Sequence, residues 1–327
     1  MYFFESPSRD PFFNLALEER LFDAYDGGGD FFLLWQNEPS VIVGKFQNTA
    51  EEINQAYVDR CHIKVARRLS GGGAVYHDGG NLNYTFILNQ KGAEEFRFDL
   101  FAQPVIRVLG RYGIAAEFSG RNDILIDGKK ISGCAQFSRG DRLLYHGCIL
   151  LDSNLENLTA ALRVRTAKLR SNGVRSVSSR VTTVNGQAAA PIAMAEFKEA
   201  LVREILREGE VEPFALSESD RREILRLRET KYATWEWNYG FCADYALSNE
   251  KRFPGGTLNV KMNVAEGRIQ EIRFFGDFFG GGDIRELEAR MAGLPLDARL
   301  EQALERLDIS HYIHGATAGD LYDLLMH

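Results

Sequence analysis

The sequence predicts an α/β (α+β) protein whose main sheet is mixed and mostly antiparallel, followed by a small α+β domain at the C-terminal end. Three observations predict this. Asp127-Gly128 stands between the runs Asp123-Ile124-Leu125-Ile126 and Lys130-Ile131-Ser132, a strong signal for an antiparallel hairpin. Strand, hairpin and crossing helix follow one another without strict βαβ alternation, which argues against a doubly wound parallel sheet. The chain then changes character after Trp235-Glu236-Trp237-Asn238-Tyr239-Gly240. Beyond it, Leu258, Val260, Met262 and Val264 alternate with Asn259, Lys261 and Asn263 as one strand. A chain of 327 residues, 45% hydrophobic, can bury a core in each of two domains, expected at 1–245 and 246–327.

In chain order, Asp10-Pro11 reads as N-cap and first helical position. Phe13, Leu17 and Leu21 recur at four-residue spacing, so a core-facing helix is expected to about Tyr25. Residues 31–35 and 41–44 look like a strand pair around Asn37-Glu38-Pro39, and a helix is expected from Thr49 with Glu51 and Glu52 in its first turn. Residues 63–65 and 82–88 read as strands, 100–112 as a helix, 115–118 and 143–151 as strands and 195–208 as a helix. The hairpin brings Asn122, Asp123 and Lys130 together at one end of a sheet. In the C-terminal part, Ala265-Glu266-Gly267 turns the strand into residues 269–275, and short helices follow around 284–291 and 300–307.

Composition excludes several classes. No run reaches the roughly 18 apolar residues of a membrane span, and the first residues lack a basic region followed by an apolar stretch, so no signal peptide is expected. Cys61, Cys134, Cys148 and Cys242 are widely spaced with no C-x-x-C pair, which reads as reduced thiols in a cytoplasmic protein. His311 and His314 form the one close histidine pair, without cysteine or acid partners at ligand spacing, so no structural metal is expected. Residues 1–190 hold 22 Lys+Arg against 21 Asp+Glu, and residues 191–327 hold 17 against 25. Neither part has the positive excess of a nucleic-acid binder, and the less acidic part is where an anion would be handled.

That part contains Ala66-Arg67-Arg68-Leu69-Ser70-Gly71-Gly72-Gly73-Ala74-Val75-Tyr76-His77-Asp78-Gly79-Gly80-Asn81, set between two strand-like runs. Glycines let backbone N–H groups approach a ligand closely and form an anion-binding nest. Arg67 and Arg68 enter the loop as charged forks suited to carboxylate or phosphate. Glycine triples at 27–29 and 280–282 lack the arginines and read as turns. Known nucleotide loops do not fit: Tyr76 replaces the last glycine of G-x-G-x-x-G, and Lys130 follows Gly128-Lys129 where a P-loop needs Ser or Thr. Residues 163–180 hold six basic residues and no acid, either a solvated loop or a basic lid over a polyanion.

Taken together, the arginine–glycine loop, Gly120-Arg121-Asn122-Asp123, Lys130-Ile131-Ser132-Gly133, His146-Gly147, Ser176-Val177-Ser178-Ser179-Arg180-Val181-Thr182 and Asp10-Pro11-Phe12-Phe13-Asn14-Leu15-Ala16 resemble the lipoate–protein ligase family over nearly the whole chain. Trp235-Glu236-Trp237-Asn238-Tyr239-Gly240 resembles the lead-in to that family's C-terminal accessory domain. The resemblance implies a biotin/lipoate-ligase catalytic domain, related to class II aminoacyl-tRNA synthetases. It implies two steps: lipoate and ATP, with Mg2+, give lipoyl-AMP and pyrophosphate, and an acceptor lysine then displaces AMP. The implied partners are lipoyl-domain proteins, namely the acyltransferase subunits of 2-oxo-acid dehydrogenases and the glycine-cleavage carrier protein. Carried over residue by residue, Arg68, Gly73, Ala74, Val75, Tyr76, Asn81, Asn122, Asp123 and Lys130 would bind ATP or the adenylate, with Asp123 also the candidate for Mg2+. Arg68, Gly72, Gly73, Lys130 and His146 would bind lipoate, His146 near the carboxyl end, and Lys130 would be catalytic, bridging carboxylate and α-phosphate. Leu15 and Leu17 read as core or as channel lining. The basic run would close over the adenylate.

Cys148 stands where these ligases usually carry threonine, Asn154 where aspartate is common, and Thr183-Val184 follow Val181-Thr182 where Asn-Leu is usual. Two alternatives stay open: an ATP-independent octanoyl- or lipoyl-transferase with Cys148 as nucleophile, and a non-catalytic binder of lipoate or nucleotide.

Overall fold

Residues 1–24, 29–89, 98–120, 122–163, 180–206, 212–240, 247–253, 255–297 and 299–326 are described by the computed structural model. Pro11–Ala24 (α1) starts as expected, the Asn14 amide closing its first turn on the Asp10 carbonyl at 3.0 Å. Phe31–Trp35 (β2) is buried throughout because both faces are covered. Phe31, Leu33 and Trp35 meet α1, and Phe32 and Leu34 meet Phe98–Arg111 (α4) and Met194–Leu206 (α6).

The main sheet has the order β11-β1-β2-β6-β10-β9-β8-β7, antiparallel except for the parallel pairs made by Tyr2–Glu5 (β1) with β2 and with Glu212–Pro213 (β11). Its centre is Asn81–Asn89 (β6), Lys129–Arg139 (β9) and Arg142–Leu150 (β10). Asp123–Ile126 (β8) joins β9 through a two-residue turn in which Asp127 and Gly128 both have positive φ, the geometry that matches strand twist. Ala116–Phe118 (β7) completes that edge.

One expectation fails. Residues 41–44 do not pair with β2. Ser40–Val43 (β3) belongs to a separate three-stranded sheet, parallel to Lys64–Arg67 (β4) and antiparallel to Val75–His77 (β5). The turn at 36–39 is too polar and too well tied to be a hairpin: Gln36 donates to the Gly79 carbonyl, and Asn37 is held by Asn14 and His77. The chain therefore crosses to a second layer, and the glycine loop hangs between β4 and β5 of it. The expected helix at Thr49 is only Thr49–Glu52 (α2), followed by Gln55–Arg60 (α3) after a break at Ile53.

Leu155–Ala161 (α5) is capped by Asn154, whose side chain accepts from the Asn157 amide at 2.9 Å. Asparagine serves as well as aspartate there. Glu218–Leu227 (α7) and Trp235–Tyr239 (α8) lead to the C-terminal part. That part has three antiparallel strands, Leu247–Phe253 (β12), Gly256–Ala265 (β13) and Arg268–Gly276 (β14), and the helices Ile284–Met291, Arg299–Leu304, Ile309–Tyr312 and Ala318–Met326 (α9–α12). It has its own core of Leu258, Val260, Met262, Ile272, Leu287 and neighbours. Phe46 crosses into that core, stacking on Phe278 at 4.6 Å, while Phe279 reaches back to Phe98 in the larger part.

Candidate active site

A cavity of about 570 Å3, counting its open mouth, lies between the α1 face of the main sheet and the small sheet that carries the glycine loop. Cross-strand register builds its floor. Trp35, Asn83, Cys148, Gly133 and Asp123 form one row across β2, β6, β10, β9 and β8, and Thr85, His146 and Ala135 form the next. Directly opposed residues share a face, so the side chains of both rows project the same way.

Lys130 reaches this face because of a bulge. The β8–β9 register shifts between Ile124 and Leu125, so Lys130 pairs with Leu125 while Gly133 pairs with Asp123. In a regular strand Lys130, three residues from Gly133, would point to the other side; the extra residue re-aims it. The segment after the basic run secures the bulge, with the Lys130 amide donating to Arg180 at 2.8 Å and Thr182 donating to the Lys130 carbonyl at 2.9 Å. The ammonium folds back over Gly133 and pairs with Asp123 at 2.7 Å. Burial pulls the Lys130 pKa down, but the Asp123 carboxylate outweighs it and the net direction is upward, so the ammonium stays charged.

Arg68 enters from the opposite wall. It is 6% exposed and gives its fork to neutral acceptors: Ser70 Oγ (3.0 Å), Ile42 O (3.1 Å), Gly71 O (2.6 Å) and Gly73 O (2.9 Å). Burial lowers its pKa to about 10, which leaves it protonated at neutral pH. The cavity wall thus holds a cation that, among the described residues, has no carboxylate in contact, the environment an anion would complete. Arg67 takes no part. Successive residues of β4 face opposite ways, and Arg67 is wholly buried against Gly44, Gln47, Thr49, Trp237 and Asn238. It ties the strand to the Trp235–Tyr239 helix, so the expectation of two anion-facing arginines holds for Arg68 alone.

Of the other expected residues, Gly72, Gly73, Ala74, Val75, Asn122 and His146 line the cavity, as does Leu15. Leu17 is core. Tyr76 and Asn81 are not in the lining. The Tyr76 ring packs with Val41, Val43 and Val65, and Asn81 is spent on Asn83. Asp123 touches the site through Lys130, its carboxylate engaged by that ammonium, and among the described residues no group of three or more acids, histidines or cysteines is placed to hold a metal ion. Arg165, Lys168, Arg170 and Arg175 of the basic run lie outside the described residues.

Sequence reasoning missed several contributors, among them Glu18, His77, Asn83 and Cys134. Of these only Glu18 had a local signal, a polar residue one turn from Asn14 on the buried face of α1. His77 is neutral, its pKa pushed down to about 3 by burial and by the nearby Arg68 and His146. Cys148 lines the cavity, but burial outweighs Lys130 and raises its thiol pKa. The His146 ring that could serve it as base is engaged at both nitrogens, by Ser70 and Glu18. That is a poor setting for a cysteine nucleophile.

An eight-stranded mixed sheet, a cationic cleft walled by a second small sheet, and an α+β unit docked on the glycine loop define an α/β protein of two parts built to hold an anion. Family models match it in series: "Lipoyl protein ligase A/B catalytic domain" over residues 10–206 and "Bacterial lipoate protein ligase C-terminus" over residues 243–325. The chain belongs to the lipoate–protein ligase family. Lipoate-protein ligase LplJ of Bacillus subtilis is 40% identical over 320 residues, 97% of each chain. Among solved structures, Plasmodium falciparum LipL1 in complex with lipoate shares the fold at TM-score 0.80 and 23% identity, over 99% of both chains. A lipoate-protein ligase A bound with ATP aligns at TM-score 0.65 and 26% identity, covering 74% of this chain and 98% of that one. A bi-partite lipoate protein ligase of Thermoplasma acidophilum, described together with its E2 lipoyl domain, aligns at TM-score 0.65 and 28% identity, covering 75% of this chain and 98% of that one.

Proposed function

We propose that this chain is an ATP-dependent lipoate–protein ligase that works through lipoyl-AMP. The observation that carries the reading is that Arg68 and Lys130, from two different sheets, open onto one cavity. Adenylation sets a carboxylate against a polyphosphate, and two anions approach only where cations offset their repulsion. A carboxylate oxygen of lipoate attacks the α-phosphorus of ATP as the bond to pyrophosphate breaks. Lys130 stabilises the charge that builds between the two, Arg68 holds the phosphate side, and the Gly72-Gly73 backbone gives close approach. The acceptor lysine, as free amine, then attacks the acyl carbonyl; the C–O bond to AMP breaks, an amide forms, and the amine's proton is lost to solvent. Magnesium enters with the phosphates of ATP and not on a protein-built site.

In this reading residues 1–245 are the catalytic domain and 246–327 the accessory domain. The acceptors are lipoyl-domain proteins, including the acyltransferase subunits of 2-oxo-acid dehydrogenases and the glycine-cleavage carrier protein, in the cytoplasm. The free thiols of Cys61, Cys134 and Cys148 suit a reducing compartment. The test is direct: enzyme, lipoate, ATP and an apo lipoyl domain should release pyrophosphate and add one lipoyl group per domain. Transfer that proceeds without ATP from an acylated carrier and stops in Cys148→Ser would overturn it in favour of a transferase.

A further inference from the structure

Glu18 is a carboxylate with 2% exposure on α1, and the reaction above does not use it. Its Oε1 accepts from Thr85 Oγ1 at 2.5 Å, and Thr85 Oγ1 accepts from Trp35 Nε1 at 2.9 Å. On its other side His146 Nδ1 lies 3.0 and 3.2 Å from the two carboxylate oxygens, and His146 Nε2 lies 2.6 Å from Ser70 Oγ. Ser70 Oγ in turn accepts from Arg68 Nε at 3.0 Å. Arginine only donates, so Ser70 accepts from Arg68 and keeps its own proton. A ring with its proton on Nδ1, facing Glu18, and with Nε2 accepting from Ser70 satisfies every donor and acceptor along this chain.

The Ser-His-Glu spacing is that of a hydrolase triad. Here, though, Ser70 has no exposed surface, is absent from the cavity lining, and has its oxygen occupied by Arg68. The hydroxyl is a link and not a nucleophile. What the chain does is end on the Arg68 Nε–H, while the Ile42, Gly71 and Gly73 carbonyls take one Nη1 and both Nη2 donors, which leaves one Nη1 N–H for a ligand. It also sets the Glu18 carboxyl group two side chains away from a buried guanidinium that, among the described residues, has no carboxylate in contact. Hydrogen bonds in series polarise one another in a low-dielectric interior.

We propose that Glu18 and His146 are positioning residues which, through Ser70, hold the Arg68 guanidinium at the angle it presents to the anionic substrate and supply its buried counter-charge. The inference rests on the reading that Arg68 binds an anion. Its test is a double-mutant cycle of Glu18→Gln and Arg68→Lys, with Ser70→Ala as a second break in the chain. The assay is lipoate-dependent exchange of pyrophosphate into ATP, run beside thermal melts and nitrogen NMR of histidine-labelled protein. Glu18→Gln and Ser70→Ala should each lower exchange about ten- to hundred-fold, the size of effect expected for a misplaced group. In the Arg68→Lys background Glu18→Gln should add less than roughly threefold, because residues acting as one unit are non-additive. A residue with a merely structural role would multiply instead. The wild-type His146 ring should carry a proton on Nδ1, with Nε2 unprotonated, and lose that preference in Glu18→Gln. Multiplying effects, exchange within about twofold of wild type for Glu18→Gln, or an Nε2–H tautomer in the wild type would overturn the proposal. So would ester hydrolysis by the wild type that Ser70→Ala abolishes, since Ser70 would then be a nucleophile. Were the wild type unable to exchange pyrophosphate, the ligase reading would fall, and the tautomer would still decide for or against the relay.

Discussion

Gly133→Ala isolates the position of the Lys130 ammonium from its charge. A Cβ at Gly133 would lie 2.7 Å from Lys130 Nζ and 2.9 Å from its Cε, against 3.4–4 Å for ordinary contact. The nearest obstacle is the far end of a flexible side chain, so the lysine moves and the strand stays. The displacement is about 0.7–1 Å, and a misplacement of that size at a reacting group costs on the order of 100-fold, or about 2.7 kcal/mol of barrier. The cost to the fold is small. The Lys130–Asp123 pair is about one-third exposed on each side, so its solvent-screened worth is at most about 1 kcal/mol. Alanine in a strand returns about 0.5–1 kcal/mol relative to glycine. Lipoate-dependent pyrophosphate release should therefore fall about 100-fold at saturating substrates, with a melting temperature within about 4 °C of wild type. Release at the wild-type rate would show that the place of the ammonium over Gly133 does not matter, and the assignment of Lys130 would fail.

The same geometry sets further outcomes. Lys130→Ala should lower adenylation about 1,000-fold while the melt stays near wild type; near-normal pyrophosphate release would remove the residue from its role. Arg67→Ala should destabilise by about 3–5 kcal/mol, because it strands several buried carbonyls that the guanidinium now satisfies, and a urea titration reads this directly. Cys148→Ser should keep ATP-dependent ligation within about threefold, being a near-isosteric change away from the proposed chemistry. Since the folded pKa of that thiol is raised, its thiolate appears only at higher pH than for a free cysteine. Alkylation of Cys148 at pH 8 should accordingly be slower than that of exposed Cys61, the gap narrowing as pH rises.

Local chemistry made much of this legible in advance. The Asp127-Gly128 turn, the Pro11 helix start, the alternation of residues 257–264 and the arginine–glycine loop are signals carried within a few residues, and each formed where the sequence put it. Strand β12 went unread because it is apolar only at its two ends, and the helix at 309–312 because four residues show no period; Ala318–Met326, with Leu321, Leu324 and Leu325 buried at helical spacing, carried a legible one. The strand pair at 31–35 and 41–44 was misread because proximity in sequence suggested a hairpin, whereas buried hydrogen bonds of Gln36 and Asn37 turn the chain into another layer.

Which groups the site would contain is readable from the residues in order: a glycine loop, adjacent arginines, a hairpin lysine and a histidine on a central strand. Which of them meet depends on packing between distant segments. A one-residue bulge swings Lys130 onto the cavity face, strand alternation sends Arg67 into the core and Arg68 toward the cleft, and Glu18 joins them from a helix far away in the chain. Facing is set by register and by the layers packed on each side, and these depend on contacts between segments that no local pattern encodes.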